Sequence, residues 1–290
     1  MKKPILRFIL LFSLLTLILP TASAELRQSP YLDAAFSMLE KDNVFMRRYN
    51  ELTGSQVEAL FELGMPYMFG GHDANAIMAR YPEYAKRKCW ENTKFYRIDK
   101  VYIYGFDCSG FTRWICTQCG LPEHDLLSNM ILRYYENGEH YLYTHKTGLP
   151  PCDQLKDTLR VGDFLVTKHA ARHIMMYIGT LRDFGFTAEE VPELADYLDY
   201  PLVVHCGAHP DYGERFQRFI DEHPDYYGNC LTTDGGVNIS ILDVPRDAAP
   251  CHAHVQNTDY DYFPLDEGRC KLTIMGMADS SSYCWYRMEP

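Results

Sequence analysis

The sequence predicts an α+β fold in which helices come first and a mostly antiparallel sheet follows. Apolar residues recur at helical spacing over 31–63 and again over 109–119. The second half of the chain contains short β-rich segments bounded by turn residues, as expected for strands. Helices followed by a run of strands are typical of α+β proteins.

The first helical region, residues 31–63, is predicted to contain two helices. Thr53-Gly54 separates them, and Thr53 to Gln56 has the form of a capping box for the second. Gly64-Met65-Pro66 is predicted to end that second helix.

The clearest helix in the sequence spans residues 109–119. Asp107 is a good N-cap residue, and Gly120 followed by Pro122 is typical of a helix end. One apolar face is formed by Phe111, Trp114, Ile115 and Cys119.

Strands are predicted at six places: Asp163–Thr167, His173–Ile178, Leu202–Cys206, Val237–Val244, Lys271–Met277 and Tyr283–Met288. Residues 181–200 are predicted to be helical. The segment after the 109–119 helix is predicted to be loop up to about residue 160. Residues 72–104 are predicted to be an irregular insertion, and residues 207–235 a long loop.

The first 24 residues have the form of a signal peptide. Basic residues come first, a twelve-residue apolar run covers 8–19, and Ala22-Ser23-Ala24 is a small-residue cleavage site. The apolar run is too short to span a bilayer comfortably, although an uncleaved anchor is the alternative. We therefore expect cleavage before Glu25, export to the periplasm, envelope or exterior, and no stable membrane insertion afterwards.

The charge of the chain argues against nucleic acid as a partner. Loss of the leader removes three positive charges and moves the formal net charge from −11 to −14. The chain also contains ten cysteines. Export permits disulfides, but if one cysteine is a nucleophile the other nine cannot all pair, and their connectivity stays open.

Cys108 is the candidate nucleophile, because it stands at the start of the clearest helix. Thiolate is the reactive form of cysteine, and the N–H groups and dipole of a helix N-terminus favour it. The same N–H groups can stabilise an oxyanion. The charge of Asp107 opposes the thiolate, so a nearby imidazolium would have to outweigh it. A structural cysteine is the alternative.

Two histidines stand at the ends of neighbouring predicted strands. His173 can project into a cleft beside a helix start, take the thiol proton and return it to a leaving amine. His205 can bond the far nitrogen of His173 and fix its tautomer, the role of the third member of a triad. The alternative for each is a polar residue satisfied at the edge of the sheet.

Taken together, these motifs resemble the NlpC/P60 family. They occur in the family's order as Gly64-Met65-Pro66-Tyr67-Met68-Phe69-Gly70-Gly71, Asp107-Cys108-Ser109-Gly110-Phe111, Gly162-Asp163-Phe164, His173 to Gly179, and Val203-Val204-His205. Each motif is weak alone, but jointly they are specific. The resemblance covers roughly residues 53–290.

The resemblance implies a papain-like fold and hydrolysis of bacterial peptidoglycan stem peptides, commonly at the γ-D-glutamyl bond to a diamino acid. It implies Cys108 as nucleophile, His173 as base and His205 as the residue that orients it. Tyr67 matches the family's cleft tyrosine. Asp107 and Ser109 match positions that contact a free peptide amine in some members. No cofactor or metal is implied, and the expected partners are stem peptides or muropeptides.

The implied organisation has three parts. A signal peptide occupies 1–24, a short helical segment 25–52, and a catalytic domain 53–290. This domain departs from the family pattern by insertions near 72–104 and 207–235. No SH3-like or LysM-like wall-binding module is recognisable.

Other functions fit parts of the same pattern. An amidase or acyltransferase would use the same three residues on the same scaffold, and a non-catalytic envelope-binding protein would suit the long loops and many tyrosines. A zinc site could be drawn from His169, His173 and the cluster Cys251-His252-Ala253-His254 together with His205 and His209. The first pair lies in a loop-to-strand segment, however, and not on a helix as the HExxH motif requires. The CxxC at Cys116-Cys119 lacks a second CxxC, so core thiols or disulfides unrelated to a redox or zinc role are the favoured interpretation.

Overall fold

The structure, a computed structural model, describes residues 26–67, 71, 78–80, 101–103, 105–121, 123–126, 132–136, 139–142, 145–147, 158–167, 173–208, 221, 226–227, 235–243, 262–266, 270–276 and 283–287. The predicted leader, the Cys251-His254 cluster, and most of the predicted insertions at 72–104 and 207–235 lie outside these residues.

The described residues contain three α-helices and fourteen strands. The helices are α1 (Pro30–Phe36), α2 (Val44–Thr53) and α3 (Cys108–Gln118). The first strands are β1 (Met78–Arg80), β2 (Val101–Ile103), β3 (Glu123–Leu126), β4 (Leu132–Glu136), β5 (Glu139–Leu142) and β6 (His145–Thr147). The later ones are β7 (Phe164–Thr167), β8 (Ile174–Thr180), β9 (Pro201–Ala208), β10 (Tyr226–Tyr227), β11 (Gly235–Asp243), β12 (Tyr262–Leu265), β13 (Cys270–Gly276) and β14 (Tyr283–Tyr286).

Eight of these strands form one sheet, in the order β12-β13-β11-β9-β8-β7-β14-β6. Only β11 and β13 run parallel within this described sheet, and the other neighbours are antiparallel. The other described strands form two three-stranded sheets, β1-β2-β10 and β3-β4-β5. The α+β class predicted from the sequence is confirmed.

Helices cover one side of the sheet at its central strands, and β8 is buried on both of its faces. Every residue of β8 is buried, and α3 packs against β8 and β9. Helix α1 packs in turn on α3. A strand that is buried on both faces has a nearly continuous apolar sequence, as the run from Ile174 to Ile178 shows.

Helix α3 forms where the sequence predicted it. The side chain of Asp107 accepts a hydrogen bond from the Gly110 N–H at 2.7 Å, which satisfies one of the N–H groups left open at the helix start. Gly120, with φ +70°, follows the C-cap Cys119. The apolar face buries Phe111 and Ile115 in the core.

The second N-terminal helix predicted up to residue 63 does not form. Helix α2 ends at Thr53, where Gly54 takes the left-handed conformation with φ +76°. The side chain of Asn50 binds both the N–H and the C=O of Val57, at 3.0 and 2.8 Å. The Leu60 N–H donates to Ser37 instead of to a helical carbonyl. These bonds take the backbone groups that a helix would need.

Two other predicted segments also differ. Residues 181–200 form turns and one short 3-10 helix, Pro192–Tyr197, because the Arg182 N–H bonds the Leu198 carbonyl and the Asp183 carboxylate bonds Thr180. The region predicted as loop up to about 160 contains the strands β3 to β6. Their polar and aromatic residues lack the apolar alternation on which strand prediction depends.

The segment around Pro66 joins the helical part of the chain to the sheet. The Val237 N–H bonds the Met65 carbonyl and the Tyr67 N–H bonds the Gly235 carbonyl, both at 2.9 Å. On its other side the Pro66 carbonyl accepts from the Phe106 N–H at 3.0 Å. These backbone hydrogen bonds fix the chain that leads into α3.

Candidate active site

The first residue of α3 carries a free thiol. Cys108 is half-buried, and Asp107 caps the helix immediately before it. The Ser109 hydroxyl also donates to Asp107 Oδ1, at 2.8 Å. The capping interactions therefore hold the three residues Asp107, Cys108 and Ser109 in one rigid turn.

The sulfur of Cys108 lies among backbone N–H groups. Those of Ser109 and Cys108 come from the helix start, and that of Ile174 comes from the first residue of β8. The Ile174 contact brings the sulfur to the strand that His173 directly precedes. Two residues separated by 65 positions in the sequence are thus brought to one place.

The two predicted histidines contact each other directly. His173 Nε2 lies 2.9 Å from His205 Nδ1, and the ring planes are nearly perpendicular with centroids 4.8 Å apart. His205 is on β9 and is only 3% exposed. Gly207 makes room for the pair, because a Cβ atom there would lie 3.0 Å from His205 Nδ1 and 3.1 Å from His173 Cε1.

Burial keeps the Cys108 thiol and the His173 imidazole neutral. Burial, followed by the charge of Asp107, raises the pKa of the Cys108 thiol to about 12, although the surrounding N–H groups act to lower it. Burial lowers the pKa of His173 to about 4. At neutral pH the pair is therefore a thiol and an imidazole. The N–H groups at the helix start favour the thiolate, as the sequence predicted, but desolvation and the charge of Asp107 outweigh them in this state.

The remaining candidates flank the cysteine. Tyr67 is partly buried against the core, and its backbone pairs with Phe106, two residues before Cys108. Asp107 and Ser109 are held by the capping bonds described above. The structure thus places Tyr67 and the first residue of β8, which His173 directly precedes, beside the Asp107–Ser109 turn at the start of α3.

Sequence reasoning missed two hydroxyls behind the histidine pair. His205 Nε2 lies 3.0 Å from Ser240 Oγ, and Ser240 Oγ bonds the Thr273 hydroxyl. Ser240 is fully buried and Thr273 is 3% exposed. The signal that was available is the serine between Ile239 and Ile241, since a hydroxyl in a buried apolar strand requires a hydrogen-bonding partner.

A second thiol lies close to the site. Cys206 is buried on β9, and its sulfur donates to the Phe106 carbonyl at 3.2 Å. Burial, together with the proximity of Cys108, raises the pKa of Cys206 well above its ordinary value. Such a thiol stays protonated and acts as a weak donor that supports the chain before Cys108.

The described part of the chain contains no cluster of side chains suited to the alternative metal site. No three His, Cys, Asp or Glu side chains among those residues are placed to hold a metal ion. His169 and the Cys251-His254 cluster lie outside the described residues. Cys116 and Cys119, on the described helix, form no disulfide with each other. None of the described helices is long and apolar enough to cross a membrane.

Comparison with known proteins gives one match. The model of the NlpC/P60 family matches residues 64–191, a span that begins at the Gly64 motif and includes Cys108 and His173. His205, Ser240 and Thr273 lie beyond it. No curated protein and no solved structure matches the chain. The predicted resemblance is confirmed over 64–191, where the chain matches a family that broadly contains cell-wall cysteine peptidases.

Proposed function

We propose that this protein is an exported cysteine peptidase that hydrolyses peptide bonds in peptidoglycan stem peptides through a thioester on Cys108. The observation that carries the proposal is the meeting of the Cys108 sulfur with the start of β8, directly beside the His173–His205 pair. A nucleophile, a base and a residue that orients the base are the minimum set for acyl transfer.

The first half of the reaction acylates the cysteine. His173 takes the proton from the Cys108 thiol as the sulfur attacks the amide carbon, so a C–S bond forms and the carbonyl oxygen becomes an oxyanion. The N–H groups at the start of α3 stabilise that oxyanion. The C–N bond then breaks, and His173 gives its proton to the departing amine.

The second half releases the acyl group. His173 takes a proton from water as the water oxygen attacks the thioester carbon. The C–S bond breaks, and the proton returns to the sulfur of Cys108. The base must be neutral to begin either half, and the lowered pKa of His173 keeps it neutral at pH 7.

The raised pKa of the Cys108 thiol makes proton transfer part of the attack itself. In an enzyme with a preformed thiolate, the cysteine has lost its proton before the substrate arrives. Here the thiol loses its proton only when the substrate carbonyl is in place to receive the sulfur. This coupling protects the exported thiol from unspecific alkylation and oxidation, because the thiolate is the species that reacts.

Substrate recognition is assigned to the residues that flank the sulfur. We place the free amine of a stem peptide at Asp107, because an ammonium pairs with a carboxylate, and Ser109 beside it as a further polar contact. Tyr67 lines the same end of α3 and holds the peptide near the sulfur. The bond cut is the γ-D-glutamyl bond to a diamino acid, as the family resemblance implies.

The remaining parts of the proposal concern fold and location. The arrangement of α3 against β8 and β9, with cysteine at the helix start, supports a papain-like core. Residues 1–24 act as a cleaved signal peptide that sends the chain to the periplasm, the envelope or the exterior. The acidic chain binds no nucleic acid.

The test is digestion of purified muropeptides followed by mass spectrometry of the fragments. We expect the wild-type protein to release fragments cut at the γ-D-glutamyl bond and the Cys108→Ala variant to release none while keeping its fold. Cys119→Ala is the matched control, because it removes a free thiol at the opposite end of α3 from Cys108. Equal turnover by Cys108→Ala would refute the proposal.

The same fragments separate the other activities on this scaffold. An amidase would free the peptide from the sugar, and an acyltransferase would yield products joined to a second amine. Absence of any new fragment with all muropeptides, together with retained peptidoglycan binding, would indicate a non-catalytic envelope protein.

A further inference from the structure

The buried hydroxyls of Ser240 and Thr273 extend the histidine pair across the sheet. Ser240 lies on β11 and Thr273 on β13, and the two residues are paired in register on these parallel strands. His205 lies on β9, the neighbour of β11 on its other side. The hydrogen bonds therefore run in one line from His173 through His205 and Ser240 to Thr273.

Buried apolar residues flank both hydroxyls along their strands. The residues next to Ser240 and Thr273 along their strands are Ile239, Ile241, Leu272 and Ile274, all of which are buried. A buried hydroxyl costs free energy unless it is hydrogen-bonded, and an aliphatic residue would pack there without that cost. The two hydroxyls instead satisfy each other and His205.

The direction of the hydrogen bonds follows from the chemistry of the base. If His173 Nδ1 accepts the thiol proton, its Nε2 must carry hydrogen and donate to His205 Nδ1. His205 must then carry its own hydrogen on Nε2 and donate to Ser240 Oγ. The Ser240 hydroxyl in turn donates to Thr273 Oγ1. Once the direction of the first bond is set, the tautomers of both histidines and the directions of the later bonds are set with it.

We propose that Ser240 and Thr273 are positioning residues that hold His205, and through it His173, in the tautomer that leaves His173 Nδ1 as the base. The inference rests on the proposed function, because only a reacting thiol gives that tautomer a purpose. Neither hydroxyl touches the substrate. Their effect reaches the sulfur through two imidazole rings.

Thr273→Val is the sharpest test, because valine keeps the shape of threonine and removes only the hydroxyl. The Ser240 hydroxyl then loses its acceptor on β13 and turns to donate to His205 Nε2. That bond requires His205 to carry its hydrogen on Nδ1, which reverses the bond to His173 and places a hydrogen on His173 Nδ1. The base would face the thiol in the wrong tautomer.

The expected result is a fall in kcat of about 10- to 100-fold with KM unchanged, the usual size of effect for losing a group that orients a functional histidine. Thr273→Ser should restore kcat, because it returns the hydroxyl. Ser240→Ala should also lower kcat. Ile241→Val is the control for strand packing, since Ile241 is equally buried on the opposite face of β11 and has no place in the line.

A readout independent of activity comes from 15N NMR of the imidazole groups in the purified protein, which reports the nitrogen that carries hydrogen. Signals of His173 and His205 are assigned by their loss in His173→Gln and His205→Gln. The wild type should show hydrogen on Nε2 of both rings, and Thr273→Val should move it to Nδ1. Unchanged tautomers in both Thr273→Val and Ser240→Ala would overturn the proposal.

The two readouts also separate this inference from the proposed function. If the tautomers change but the wild type cuts no muropeptide, the hydrogen-bonded line stands and the peptidase assignment fails. If muropeptides are cut and both hydroxyl variants keep wild-type kcat, the peptidase assignment stands and the positioning role fails.

Discussion

The histidine at the centre of the site makes the stability of the protein depend on pH. Burial holds the pKa of His173 at about 4, below its ordinary value of 6.5. As pH falls below 6.5 the unfolded chain takes up a proton at this position before the folded protein does. Stability contributed by the neutral ring is therefore complete above pH 6.5 and is lost as pH falls towards 4.

The first prediction compares wild type with His173→Gln. Between pH 7 and pH 4.5 the wild type should lose about 2–3 kcal/mol more of its free energy of unfolding than the variant, which has no ring to protonate. Urea titrations at the two pH values measure the difference. Equal losses in the two proteins would show that His173 ionises as freely in the folded state as in the unfolded one.

Asp107 has two separable roles at the residue scale, as a helix cap and as a charge. Asp107→Asn keeps an acceptor for the Gly110 N–H and removes the charge, whereas Asp107→Ala removes both. We expect stability close to wild type for the asparagine variant and a loss of about 1 kcal/mol for alanine.

The charge itself should appear in the reactivity of the thiol. Because Asp107 raises the pKa of Cys108, Asp107→Asn should speed alkylation of Cys108 by iodoacetamide at pH 7. The same variant should raise KM for peptides with a free amine and leave acetylated peptides unaffected. A slower alkylation with Asp107→Asn would contradict the role of this charge, and equal KM changes for both peptide types would remove Asp107 from amine binding.

At the scale of elements, the close approach of two backbone segments decides where α3 begins. A Cβ atom on Gly105 would lie 1.9 Å from the Pro66 carbonyl oxygen, which is also the acceptor of the Phe106 N–H. A substitution at Gly105 must push apart the Pro66 and Phe106 backbones, whose hydrogen bond positions Tyr67 and Asp107. No flexible side chain is available there to absorb the shift.

Gly105→Ala should therefore destabilise the protein by at least about 3 kcal/mol, as overpacking against rigid backbone does. Gly120→Ala is the matched control, since Gly120 also has no side chain but faces open space. Its positive φ should cost only about 1–2 kcal/mol. Thermal unfolding of both variants measures this, and similar losses would mean that the Pro66 contact is relaxed in solution.

The elements that the sequence predicted well are those whose signals are local. Helix α3 carries its own cap and apolar face, and β8 and β9 are short apolar runs between turn residues. The helix predicted near residue 60 failed because the bonds that oppose it come from Asn50 and Ser37, earlier in the chain. Local periodicity carries no information on such competition.

The sequence-based prediction of the candidate site also depended on local signals, and it was incomplete because no local signal gives the partners of two further residues. Cys108, His173 and His205 were found because each stands at the end of a recognisable element in a known order of motifs. Ser240 and Thr273 were missed because their partner is fixed by sheet order, β9 beside β11 and β11 beside β13. Single-sequence patterns do not give that order.

At the scale of the whole molecule, the candidate site extends beyond the family match. The match ends at residue 191, but β9, β11 and β13 lie after it and support the ring of His173 from behind. A chain ended at 191 would keep the proposed nucleophile and base while losing every described residue of the hydrogen-bonded line behind them.

An ion pair anchors β14 to the turn before β7. β14 lies between β7 and β6, although it is the last of the described strands. Directly after it, the Arg287 guanidinium makes two bonds to Asp163, at 3.0 and 2.7 Å, and Asp163 is only 2% exposed. The same carboxylate accepts from the Arg160 N–H at 2.8 Å. The residue after β14 is thereby tied to the turn before β7.

Asp163→Ala should destabilise the whole protein by about 3–5 kcal/mol, because it removes the acceptor of the Arg160 N–H and the counter-charge of the partly buried Arg287, whose guanidinium keeps its bond to the Thr158 carbonyl. The control is Arg182→Ala, which breaks an ion pair with Asp199 whose side chains are 56% and 51% exposed. That loss should stay below about 1 kcal/mol. A double-mutant cycle between Asp163 and Arg287 measures the coupling, and a value near zero would mean that β14 is held by its strand pairing alone.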